Sequence, residues 1–258
     1  MRSINAPLFE FFGQESHYAV VAIFLYPILH SLFYYLCRAN FYLMDRITVY
    51  IDGYNFYYGL KRMKAIHNYW KKFLWIDFVK LFDHFKLNNQ ILQKVYYFTT
   101  PPINIQKRNR QRILFLANKL INGNRFEIVD GKFYDKELIC PACNFKYTKP
   151  EEKRTDVNIC AQMMRDCALN NTDVLILVSA ASDLVPPLEI IKTDYPDKKI
   201  RIFFPPKCFS NDLNNFMNSI KSKVVKLQKN EVKFTNSIMP DTVTKDDVTY
   251  TIPPKWKI

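Results

Sequence analysis

Short apolar runs alternate along this chain with stretches of helical period. Ile47-Thr-Val-Tyr-Ile51 is β-branched or aromatic and apolar on both faces apart from Thr48, which predicts a central parallel strand. Lys94 to Thr100, Phe126 to Asp130, Asp173 to Ser179, Ile200 to Phe204 and Lys223 to Leu227 read as further strands. Phe78, Val79, Leu81, Phe82 and Phe85 recur at helical spacing, and Ile105 to Ile121 and Asn211 to Ser219 also read as helices. In 155–168 one apolar face is predicted from Val157, Cys160, Ala161, Met164 and Ala168, with Thr155 as N-cap. Leu184 to Thr193 carries Pro186 and Pro187 in its first turn, where a helix tolerates them. This alternation predicts an α/β fold of three layers, α/β/α, around a mainly parallel sheet. The stretch after Lys229 is polar and predicted to be irregular, giving a domain over 44–228 and a tail over 229–258.

Residues 1–43 follow a different pattern. Tyr18 to Cys37 contains no Asp, Glu, Lys or Arg, and that length can span a bilayer as a helix. Pro27, His30 and Ser31 weaken the pattern. Two readings stay open: a membrane anchor through 18–37 that leaves the domain in the cytoplasm, or an upstream extension from a misplaced start, with Met44 opening the domain.

Charge adds a partner class. The formal net charge is +13; Arg2 and Arg38 balance Glu10 and Glu15, so the whole excess lies in 44–258. A basic domain suggests a polyanion, nucleic acid first and an anionic membrane second. Lys107, Arg108, Arg110 and Arg112 crowd the first half of one helix, where cations are unfavourable, which points to phosphate contact or a solvated face. Lys61, Arg62, Lys64, Tyr69, Trp70, Lys71, Lys72 and Trp75 form a second basic, aromatic stretch suited to tracking a backbone and stacking bases. The six cysteines lack the dense spacing of a small secreted scaffold, so reduced thiols are expected. Cys140-Pro-Ala-Cys143 suits a redox pair, half of a Zn²⁺ site completed from elsewhere, or a plain turn; about 135–150 is expected to form an insert around it.

Three acids fall at comparable places. Asp52 ends the first strand, Asp183 lies between a strand and a helix, and Asp156 stands in the first turn of another helix. In a parallel α/β sheet such loops meet at one edge. Clustered carboxylates repel unless a cation neutralises them, and Mg²⁺ and Mn²⁺ prefer oxygen ligands. Such an ion activates water for phosphodiester cleavage, and Asn55 can hold a phosphate or water without adding charge.

Ile51-Asp-Gly-Tyr-Asn55, Glu152-Lys-Arg-Thr-Asp-Val-Asn-Ile159 and Val178-Ser-Ala-Ala-Ser-Asp-Leu-Val-Pro-Pro187 resemble the three signature blocks of the NYN domain, a branch of the PIN-like superfamily of metal-dependent ribonucleases. The resemblance covers roughly 46–227 and is nearest to a subgroup with a C-x-x-C insert. It implies RNA as partner, Mg²⁺ or Mn²⁺ as cofactor, and Asp52, Asp156 and Asp183 as ligands with Asn55 beside them. One position departs: Ala181 stands where the family's last block carries an acid, and Gln162 also replaces an acid of many relatives. The resemblance therefore leaves two functions: a metal-dependent RNA endonuclease weakened at Ala181, or a degenerate RNA-binding or regulatory module. Self-association into a homo-oligomer is left open.

Overall fold

A computed structural model describes residues 44–257. The expected hydrophobic extension, with its candidate span at 18–37, lies outside them. Among the described residues no helix is long and apolar enough to cross a membrane.

The architecture is the expected three-layer α/β/α sandwich. Strands β1 (Asp45–Asp52), β2 (Gln90–Thr99), β3 (Phe126–Asp130), β6 (Val174–Val178), β7 (Lys199–Phe204) and β8 (Val225–Lys226) form one six-stranded sheet in the order β3-β2-β1-β6-β7-β8. Every neighbouring pair in it is parallel. β1 and β6 are buried along nearly their whole length, as continuous apolar runs in a doubly covered sheet must be. Alternate residues of β1 face opposite layers. Ile47, Val49 and Ile51 join a core with helices α1 (Gly53–Ile66), α2 (Phe78–Asp83) and α3 (Ile105–Asn122). Tyr50 joins a second core with α4 (Thr155–Ala168), α5 (Val185–Asp194) and α6 (Asn211–Ser219).

Four sequence expectations change. The buried face of α4 is Ile159, Met163, Asp166 and Cys167, while Val157 is 69% exposed. Apolar residues surround this helix, and its orientation is fixed by a polar contact: buried Asp166 accepts the Tyr50 hydroxyl at 2.8 Å. Thr155 is the first helical residue rather than the cap; Arg154 precedes it with a left-handed φ of 78°, and the Thr155 hydroxyl donates to Glu152.

Trp70 and Trp75 are core residues, 1% and 0% exposed, so that aromatic stretch offers them to no outside ligand. The segment after Lys229 is not an irregular tail. It forms α7 (Glu231–Thr235) and a hairpin of β9 (Thr242–Lys245) and β10 (Val248–Thr251). Phe234, Met239, Val243, Ile252 and Trp256 enter the first core, because isolated large side chains in a polar segment can still fill gaps beneath α1 and α3.

The insert is an antiparallel hairpin, β4 (Lys132–Ile139) with β5 (Lys146–Lys153), paired only with itself and largely exposed. Its turn is closed by Cys140 N–H donating to Phe145 O and Asn144 N–H donating to Cys140 O, both at 2.9 Å. Asn144 takes a φ of 56°, a left-handed conformation that Asn tolerates.

Candidate active site

β1 and β6 are sequence-distant neighbours in the sheet, and the chain leaves their carboxyl ends in opposite directions. That is the topological switch point of an open α/β sheet, where a crevice forms. Asp52 sits there, 2% exposed. It caps α1 by accepting the Asn55 backbone N–H at 3.0 Å, and its other oxygen accepts the Asn55 side-chain amide. The same oxygen accepts the Ser179 hydroxyl at 2.7 Å from the end of β6. Ser179 Oγ in turn accepts the Ala181 N–H at 3.0 Å. Burial pushes the Asp52 carboxyl up, these hydrogen bonds pull it down, and the charge of Glu152 pushes it up again.

Gly53 is required beside Asp52 by space. A Cβ there would stand 2.4 Å from Tyr97 Cε1 and 2.5 Å from Phe98 O, so only glycine lets α1 start against β2.

Asp156, in the first turn of α4, is pushed up to about 6, first by burial and then by the charges of Asp52, Asp183 and Glu152. The charges of the other two predicted acids therefore reach Asp156. Asp183 lies exposed on the single turn Ser182–Leu184 after β6. Glu152 is the fourth acid and was not among the predicted ligands. Its signal in the sequence was its place four residues before Asp156 in the same block. Ser179 was likewise visible only as a letter of a motif.

None of these four acids carries an ion pair among the described residues. Carboxylates near one another without a cation suit a hard divalent ion. Yet among the described residues no three His, Cys, Asp or Glu side chains are grouped to hold a metal by themselves. A Mg²⁺ or Mn²⁺ ion placed here would be held by one or two carboxylates with water completing the shell, as Mg²⁺ commonly is. Ala181 stands half-buried at this edge and supplies no oxygen beyond its backbone. Gln162 donates to Asp166 Oδ1 at 3.1 Å, so its amide supports the buried Tyr50 contact.

The cysteine pair does not make a closed zinc site among the described residues. Cys140 and Cys143 supply two ligands, and a structural Zn²⁺ takes four. The Cys140 thiol is lowered by the amides of Ala142 and Cys143 and by the Cys143 thiol.

The four predicted cations of α3 separate. Lys107 and Arg110 line a cavity of about 580 Å³ that Gly53 and Glu152 also line. Arg108 instead donates to Pro102 O at 2.8 Å, and Arg112 is exposed outside the lining.

Residues 46–222 match the NYN domain family. The chain belongs to that family, whose fold is of the PIN-like nuclease type. It is 26% identical over 193 residues to 6-hydroxy-3-succinoylpyridine 3-monooxygenase HspA of Pseudomonas putida (strain DSM 28022 / S16). That match covers 62% of this chain and 59% of HspA, so the chain spans less than two thirds of that relative. A crystal structure of a protein of unknown function, VPA0982 from Vibrio parahaemolyticus RIMD 2210633, is similar at a TM-score of 0.44 and 18% identity. It is matched over 67% of this chain and 90% of the other.

Proposed function

We propose that this chain is a Mg²⁺- or Mn²⁺-dependent RNA endonuclease of reduced activity. The observation that carries the reading is the gathering of Asp52, Asp183 and Glu152 near enough to Asp156 for their charges to act on it, with no ion pair to any of the four among the described residues. A divalent ion bound there would lower the pKa of a coordinated water and stabilise the leaving oxygen. Asp156, in the first turn of α4, would serve as a ligand to that ion beside Asp52. Asp52, held by Ser179 and Asn55, fixes its carboxylate in one orientation. Asn55, with Lys107 and Arg110 of α3, would position the phosphate.

A second reading, RNA binding without hydrolysis, is favoured by Ala181 and by the lack of three grouped ligands among the described residues. The name of HspA suggests oxidation of a small heterocycle. Against carrying that over, Asp52 occupies the amino-terminal cap of α1, where a dinucleotide cofactor would need to place its pyrophosphate.

The test is cleavage of single-stranded RNA in Mn²⁺ by the natural chain, Ala181→Asp and Asp156→Asn. Slow cleavage that Ala181→Asp speeds and Asp156→Asn abolishes is expected. RNA binding without cleavage in all three selects the second reading.

A further inference from the structure

Beside the acids lies the cavity of about 580 Å³, within the range of roughly 300–1,000 Å³ usual for small-ligand sites. Its walls come from α1, α3, the exposed hairpin and the carboxyl-terminal turn at Trp256. Three tyrosines of α1, Tyr54, Tyr57 and Tyr58, line it, and Phe133 of the hairpin also contributes. Tyr54 and Tyr58 rings stand 4.4 Å apart at 39°, and Tyr57 meets Tyr58 edge-on at 5.3 Å. Aromatic walls alone would suit any apolar guest, but the polar lining narrows the choice. Lys107 and Arg110 bring two positive charges, and Arg110 acts on Tyr57 against the burial that raises its phenol. Gln111 also lines the cavity; it spends one amide hydrogen on Thr99 Oγ1 at 3.1 Å and keeps its carbonyl oxygen. Glu152 joins this cavity to the acid cluster.

A cluster of tilted tyrosine rings, an amide able to read a ring edge, and cations beside it match one chemistry: a base with its phosphate. We propose that this cavity takes an unpaired nucleotide of a single strand, its base among the α1 tyrosines and its phosphate at Lys107 and Arg110. The strand then runs past Glu152 toward Asp52. The inference deepens the nuclease reading and rests on it for the polymer, although binding in the cavity needs no metal. A base within a duplex is already stacked and does not enter, so the site selects single strands.

The test is binding of the full chain to a fluorescently labelled single-stranded oligouridylate in EDTA, against a duplex RNA of equal length. Tyr57→Ala and Lys107→Ala/Arg110→Ala are compared with the natural chain, and uridine monophosphate serves as competitor. Single-strand affinity is expected to fall about 5- to 100-fold in Tyr57→Ala, the usual worth of one stacked base, and duplex binding to stay weak and unchanged. The double variant, altered at the cavity's rim, is expected to lose affinity and to flatten the salt dependence; it keeps the test decisive if Tyr57→Ala does not fold. Competition by the monophosphate that is lost in the same variants supports base plus one phosphate as the recognised unit, whereas competition that survives them contradicts it. Equal single-strand binding by natural chain and variants, or duplex bound as tightly as single strand, overturns the proposal. Metal-dependent cleavage fails separately: variant-sensitive binding without Mn²⁺ cleavage removes the nuclease reading and keeps the cavity, and the reverse removes the cavity.

Discussion

Ser179 donates its hydroxyl proton to Asp52 at 2.7 Å, tying the end of β6 to the end of β1 across the switch point. The same Ser179 oxygen holds the backbone of Ala181 at 3.0 Å, so one hydroxyl sets both the carboxylate and the loop that leads to Asp183. Ser179→Ala leaves buried Asp52 with Asn55 alone. The expected result is a loss of about 1–3 kcal/mol in urea unfolding at pH 7, the usual cost of removing a hydrogen bond to a buried charge.

Asp156 sets the pH response of the metal-free protein. Its carboxyl is raised to about 6 in the fold from an ordinary value near 4. The fold therefore favours the protonated form. The stability it contributes is complete below pH ~4 and is lost as pH rises through about 6. Asp156→Asn is expected to remove this slope and to stabilise the protein in EDTA at pH 7 by about 1 kcal/mol, a figure discounted for the half-exposed site. Urea titrations at pH 4 and pH 7 measure it.

At the opposite end of β1 the sign reverses. Arg46 binds Asp173 through Nε at 2.8 Å and Nη2 at 2.9 Å and holds its carboxyl down to about 2. That stability is present above pH ~4 and disappears as pH falls through about 2. Both side chains are about a third exposed, so Asp173→Asn is expected to cost only about 1 kcal/mol at pH 7. The same variant is expected to cost progressively less as pH falls toward 2.

The carboxyl-terminal segment belongs to the core. Trp256 is 7% exposed and packs with Phe234 and Ile252 in the first core. Trp256→Ala is expected to destabilise by about 3–5 kcal/mol, and truncation after Lys229 to prevent cooperative unfolding. Thermal melts of the two variants check this, and an unchanged melt of the truncated chain would return 229–257 to the status of a tail.

These outcomes separate what the sequence disclosed from what it hid. β1 and β6 were legible because a strand buried on both faces is a continuous apolar run, and Asp52 and Ser179 follow such runs directly. The orientation of α4 was not, because Val157 and Met164 compete with Ile159 and Met163 for the apolar face, and a Tyr50–Asp166 hydrogen bond decides it. The two strands of the β4–β5 hairpin left no apolar pattern, since no residue in either is fully buried. Glu152 stayed unnoticed beside the other acids because its approach to Asp156 depends on the turn at Arg154, whose positive φ no residue pattern announced.

The acid cluster is tested most directly by calorimetric titration of Mn²⁺ into the natural chain, Asp156→Asn and Ala181→Asp at pH 7. The account predicts saturable binding by the natural chain, at least tenfold weaker binding by Asp156→Asn, and tighter binding by Ala181→Asp. Equal Mn²⁺ affinity in all three, or none in any, would contradict it.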